Sequence, residues 1–186
     1  MAPDVTELLI DLREGDDDAI DKLFPIVYDE MRLIAGSQLN REYEDITIQQ
    51  TELVHESFLK MVDQTRIHAN DRTHFFKIAA RCMRQILVDH ARKKKTVKRG
   101  ENFHRVDLKH VDLSRDEHAE NIINIDRHLE ELKQFDKRMA QVVELRFFGG
   151  FTTERVGEML GISKKTVIRD WKHARGWLYK KIRNED

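Results

Sequence analysis

The sequence predicts an all-α fold, two small helical domains joined by a flexible linker, and three observations carry that prediction. Among 186 residues there are only 2 prolines and 8 glycines, and β-branched runs are scarce, a composition that favours helix over sheet. Apolar residues return at three- and four-residue intervals along most of the chain. The periodicity lapses over residues 101–123, which are polar and rich in Asp, Glu and His. That stretch reads as a linker between a domain at 1–100 and a domain at 124–186. Hydrophobic residues make up 40% of the chain and charged residues 36%, enough for two cores but thin ones.

A first short helix covers residues 5–12. Gly15-Asp16-Asp17-Asp18 breaks it, and Asp18 with Asp21 reads as the cap of a second helix that reaches about Leu39. The apolar stripe of that helix is Ile20, Leu23, Phe24, Val27, Met31 and Ile34, and Pro25 should kink it. Residues 40–50 are polar. A helix over 51–62 turns Leu53, Val54, Phe58, Leu59 and Val62 inward. The next begins near Thr73 and carries Phe75, Phe76, Ile78, Ala79, Cys82, Met83, Ile86 and Leu87. It ends in a basic tip, Arg92-Lys93-Lys94-Lys95 with Lys98-Arg99, before Gly100. In the second domain, helices cover 125–135 and 136–148; Met139, Val142, Val143 and Phe147 share one face of the latter, and Gly149-Gly150 ends it.

Net charge is −1, which taken alone argues against nucleic acid as a partner. Its distribution argues the other way. Residues 81–105 hold nine Lys/Arg against Asp89 and Glu101, and residues 163–183 hold eight against Asp170, so each block carries +7 and the remainder carries −15. Two basic blocks in an acidic chain look like two DNA contacts. The acidic surfaces are then held away from DNA or offered to another partner.

The strongest motif lies at 151–178 and reads as a helix-turn-helix. Thr152 or Thr153 caps a short helix with Val156, Met159 and Leu160 inside; Gly161 makes the turn, and Ile162 plugs the angle. Ser163 caps the second helix, where Val167, Trp171, Ala174 and Leu178 fall at i, i+4, i+7 and i+11 and face inward. Lys164, Lys165, Ile168, Arg169, Lys172, His173 and Arg175 are left outward, a face suited to the major groove and its flanking phosphates.

Both halves together resemble the RNA polymerase sigma factors of the extracytoplasmic-function (ECF) type. Residues 151–178 resemble sigma region 4, which reads the −35 promoter element. Glu52-Leu53-Val54-His55-Glu56-Ser57-Phe58-Leu59-Lys60 looks like region 2.2. Phe75-Phe76-Lys77-Ile78-Ala79-Ala80-Arg81 and Asp89-His90-Ala91-Arg92-Lys93-Lys94-Lys95 look like regions 2.3 and 2.4. The resemblance implies a promoter-specificity subunit, cytoplasmic and with no catalytic site of its own. Its partners would be promoter DNA and core RNA polymerase, through the β′ coiled coil and the β flap. The −35 contacts would come from Ser163, Lys164, Lys165, Thr166, Ile168, Arg169, Lys172, His173 and Arg175. The −10 contacts would come from Arg84, Asp89, Arg92, Lys93, Lys94 and Lys95. Asn70, Arg72 and His74, in the loop before Phe75, would capture a flipped base. Glu52, His55, Glu56 and Lys60 would meet polymerase.

The family usually carries an acidic cluster just before the Leu-Val pair. Here those residues are Gln49-Gln50-Thr51-Glu52, with a single acid. Phosphorylation of Thr51 would add about −1.5 to −2 charge there, which makes a Ser/Thr kinase a candidate switch beside, or in place of, an anti-sigma factor. The plainer alternative is that Thr51 caps its helix.

A conventional helix-turn-helix regulator that binds an operator without polymerase is the competing reading, and a DNA-modifying enzyme is a third. The basic tip and the region 2.2 match argue against the former. The latter needs a carboxylate or metal cluster in a basic groove, whereas the acids lie mostly outside the basic blocks. No metal or cofactor is expected. His104, His110 and His118 lack ligand spacing, no HExxH, CxxC, P-loop or GxSxG pattern occurs, and Cys82 sits on an apolar face. The first residues are acidic and no stretch approaches the ~20 apolar residues of a membrane span, so no membrane is expected.

Overall fold

The computed structural model describes residues 4–39, 48–65, 67–99 and 118–184. Most of the polar stretch after Leu39, and linker residues 101–117 with His104 and His110, lie outside the described residues. Those described are helical: α1 Val5–Glu14, α2 Asp18–Leu39, α3 Gln50–Thr65, α4 Arg72–Arg99, α5 His118–Phe135, α6 Lys137–Val143, a π-turn Glu144–Phe148, α7 Thr153–Leu160 and α8 Lys164–Arg183.

Local chemistry sets most of the boundaries. Asp4 caps α1 by accepting from the Thr6 N–H. The cap before α2 is Asp16, which accepts from the Asp18 N–H at 3.0 Å, rather than the Asp18/Asp21 pair expected from sequence. The helix continues through Pro25 on an exposed side, where water can reach the Asp21 carbonyl that the missing N–H leaves without its helical donor. α5 begins at His118, inside the stretch assigned to the linker, because Ile122 and Ile123 pack on the core. The helix expected over 136–148 is two pieces. Asp136 caps α6 through the Met139 N–H, and the ladder then widens so that the Gly149 N–H donates to the Glu144 carbonyl, five residues back, at 2.9 Å.

On α3 the sequence placed Leu59 inward, yet it is 61% exposed, and the buried position is Ser57. Ser57 follows Leu53 by four residues and Val54 by three, so it shares their face. Its hydroxyl donates to the Val54 carbonyl at 2.9 Å and its own carbonyl accepts from the Cys82 thiol, which satisfies a polar residue in an apolar seam.

The two halves are not independent bodies. One apolar cluster runs from Val5 and Leu9 of α1 through Met31, Phe75, Phe76 and Met83 to Ile122, Leu129 and Leu132 of α5, and on to Phe148, Ala174 and Leu178. A second, smaller cluster belongs to the helix-turn-helix: Val142, Leu145, Val156, Met159 and Val167. α4 lies at the junction, against α2 and α3 on one side and α5 and the π-turn on the other.

Candidate nucleic-acid interface

The helix-turn-helix is built by its caps and one close approach. Thr152 Oγ1 accepts from the Arg155 N–H at 3.2 Å and starts α7; Gly161, at φ +65°, ends it. The Ile162 N–H returns to the Gly157 carbonyl at 2.9 Å. A Cβ at Gly157 would stand 2.8 Å from the Ile162 carbonyl oxygen, so glycine there lets the turn close. Ser163 Oγ accepts from the Thr166 N–H at 3.1 Å and starts α8.

Along α8, Val167, Ala174 and Leu178 are buried and Trp171 is half-buried. Asp170, read from sequence only as a lone acid in a basic run, is 2% exposed. Its carboxylate accepts from Arg138 Nε at 2.6 Å and from Arg169 at 3.3 Å. The Arg138 bond ties the recognition helix to the start of α6. Opposite lies the solvent face: Ser163, Lys164, Lys165, Ile168, Arg169, Lys172, His173 and Arg175, all exposed, with Thr166 half-buried at its edge. Lys164 pairs with Glu154, which holds that carboxyl below its ordinary value. The guanidinium of Arg175 lies 5.9 Å from the centre of the Trp171 ring.

The residues assigned to the −10 contact are divided. Asn70 lies before α4, accepting from Arg13 at 3.4 Å. Arg72 and His74 are in the first turn of α4 rather than in a loop. Arg72 is drawn to Glu30 at 2.7 Å and lies over the Phe76 ring, while His74 Nδ1 accepts from the Asn70 N–H. Asp89, Arg92 and Lys93 are exposed further along α4; Lys94 and Lys95 are on the same helix, but their side chains lie outside the described residues. Arg84 departs from expectation. Its side chain is 1% exposed, and it meets Asp126, Glu130 at 3.3 Å and Glu144 at 2.9 Å from the second half, so in this arrangement it cannot meet DNA.

On α3, Thr51, Glu52, His55 and Glu56 are exposed and Lys60 half-exposed, with the bare Leu59 among them. Thr51 does not cap the helix. Gln49 stands at that position, and its N–H donates to Glu52 Oε2 at 3.3 Å. The His55 ring lies 5.5 Å from Phe24, Glu56 is 3.6 Å from His90, and Lys60 is 3.9 Å from Asp89. Among the described residues no group of His, Cys, Asp and Glu could hold a metal ion, and no helix is long and apolar enough to cross a membrane.

The decisive comparison is with protein-family models, where the one described as ECF sigma factor matches residues 2–184. The chain belongs to the ECF sigma factor family. A search of curated proteins finds no match. Sigma factors of this family are non-catalytic and associate with RNA polymerase for promoter-specific initiation of transcription. Among the described residues, the basic blocks of the sequence leave exposed cations along one face of α8 and, on α4, at Arg92 and Lys93. Sequence reasoning missed the inward roles of Asp170 and Arg84. The one signal for Asp170 was an acid spaced three residues from Val167 and four from Ala174, on the apolar stripe.

Proposed function

We propose that this sigma factor binds core RNA polymerase, through α3 against the β′ coiled coil and through its C-terminal half against the β flap, and directs initiation at promoters with two read elements. In this reading α8 enters the major groove at −35, with Lys164, Lys165, Ile168, Arg169, Lys172, His173 and Arg175 toward DNA. The outer part of α4, with Asp89, Arg92 and Lys93 to Lys95, meets −10, and Asn70, Arg72 and His74 hold a flipped base. The protein works where polymerase works, in the cytoplasm.

The observation that carries the reading is the division of α8. A helix anchored by Val167, Ala174 and Leu178, and by the Asp170–Arg138 pair, presents its cations to solvent from a capped N-terminus. The test is run-off transcription with core polymerase from the source organism, with and without this protein, on its own upstream region and on a random-promoter library. Polymerase-dependent transcripts that share −35 and −10 motifs support the reading. Tight operator binding by the protein alone, with no transcripts, favours the conventional regulator.

Regulation at Thr51 is part of the proposal. The hydroxyl is exposed in the first turn of α3 beside Glu52, and the cap that would have explained it is made elsewhere. A phosphate there adds negative charge to the face offered to polymerase and is favourable near a helix N-terminus. A Ser/Thr kinase is the proposed regulator, and an anti-sigma factor the other. Thr51→Glu should raise polymerase-dependent transcription; if Thr51→Ala is as active as the wild type under inducing conditions in the native host, the kinase reading fails.

A further inference from the structure

A cleft of about 360 Å³ is lined by α4 on one side and by α5, α6 and the start of the π-turn on the other. That size is within the range of small-ligand sites. Its walls carry two pairs of cations. Lys77 and Arg81 are four residues apart on α4 and share a face, while Lys133 stands in the last turn of α5 and Lys137 opens α6. Like charges gathered in this way repel, the more so where water is partly excluded.

The carboxylates of the cleft do not offset this charge in full. Glu130 and Glu144 both lie against Arg84, at 3.3 and 2.9 Å. Among the described residues, Lys133 pairs with Glu130 at 3.4 Å, but Arg81 and Lys137, both exposed, have no carboxylate within ion-pair distance. The half-buried Lys77 ammonium donates to a neutral group, the Met159 carbonyl, at 2.6 Å. Burial pushes its pKa down, with Asp71 opposing. An anion in the cleft would relieve all four.

Between the cations the lining is apolar: Ile78 of α4, Leu129 of α5, Ala140 of α6 and Leu145 of the π-turn. Leu129, Ala140 and Leu145 are buried, so packing fixes this floor, whereas Arg81 and Lys137 reach solvent. An inorganic anion would use the cations and leave the floor bare. An apolar molecule would cover the floor and leave the cations opposed. A flat ring that carries phosphate uses both, since a guanidinium can bond two phosphate oxygens and lysine ammoniums add point charges.

We propose that this cleft is a nucleotide-binding site, with the ring on Leu129, Ala140 and Leu145 and the phosphates held by Arg81, Lys133, Lys137 and Lys77. Of the residues assigned to DNA only His74 lines it, and none of those assigned to polymerase does. The site is therefore tested without DNA or polymerase, and its outcome is independent of the promoter reading.

The experiment is isothermal titration calorimetry of the full chain with adenosine diphosphate, guanosine diphosphate, adenosine and pyrophosphate. At least one nucleotide should bind with a Kd below about 1 mM, and more tightly than adenosine or pyrophosphate, each of which satisfies only part of the cleft. Arg81→Gln with Lys137→Gln changes two exposed side chains and should weaken nucleotide binding on the order of tenfold or more. Lys22→Gln with Lys180→Gln, an equal loss of charge at exposed positions that do not line the cleft, should leave it unchanged. Gln141→Trp, at a half-buried position on the cleft wall, should fill the space and abolish binding at unchanged helical content by circular dichroism. The proposal is overturned if neither nucleotide binds at about 1 mM. It is equally overturned if pyrophosphate binds as tightly as the nucleotides, if the Lys22/Lys180 variant loses as much affinity as the Arg81/Lys137 variant, or if the Gln141→Trp protein still binds.

Discussion

Gly150→Ala tests how the two halves are held, and its cost can be worked out in two parts. Gly150 has φ +68°, where an L side chain costs about 1–2 kcal/mol. The added Cβ would also stand 2.2 Å from Ser37 Oγ and 2.5 Å from Ser37 Cβ, so α2 or the turn must move, an overpacking cost of about 1–3 kcal/mol. Together these make about 2–5 kcal/mol. Gly161→Ala is the matched control, because its φ is +65° but nothing lies within 4 Å of its new Cβ. It should cost only the first part, about 1–2 kcal/mol. Urea unfolding of both variants, of Ser37→Gly, and of the Ser37→Gly/Gly150→Ala pair closes a double-mutant cycle. The expected coupling is about 1–3 kcal/mol, returned when Ser37 loses its side chain. If Gly150→Ala costs no more than Gly161→Ala, or the cycle shows no coupling, the turn does not press on α2 and the close docking is refuted.

Four further outcomes follow from the geometry. Ser163→Ala removes the acceptor for the Thr166 N–H and should lower stability by about 1 kcal/mol in urea unfolding, with weaker −35 binding. Asp170→Asn should lower the melting temperature and weaken −35 binding together, whereas Ile168→Ala, at a position 49% exposed, should affect DNA binding alone. Burial alone would raise the Glu130 carboxyl, but Lys133 and Arg84 together hold it below its ordinary 4.5. Its contribution is therefore complete above that value and lost as pH falls through the lowered one, so the gap in melting temperature between wild type and Glu130→Gln should narrow on acidification. The Cys82 thiol is pushed up to about 11, chiefly by burial and further by Glu56, with Lys60 opposing. A thiol reagent at about pH 8 should leave it unmodified in the native protein and modify it rapidly in urea.

Much of the candidate site was legible because it is local. Thr152, Gly161 and Ser163 act on backbone groups within a few residues of themselves, and the stripe Val167, Ala174, Leu178 is a helical period, so each could be read without a partner. The same holds for the apolar face of α4. Leu59 was misassigned, and Ser57 passed over, because hydrophobicity was weighed over geometry: at their positions the helical period outranked side-chain type, and a back-bonded hydroxyl is tolerated in a core.

By itself the sequence determined the helical class, the two basic blocks and the helix-turn-helix, since composition, period and capping are properties of neighbours in the chain. Only the tertiary structure decided that the halves share one core, that α5 starts early to cover it, and that Arg84 faces three carboxylates rather than solvent. An arginine in a basic run reads as a surface cation until its partners are known. Those partners, Asp126, Glu130 and Glu144, lie 42 to 60 residues away. What buries a charge is the meeting of distant segments, and that is set by packing, which no local pattern encodes.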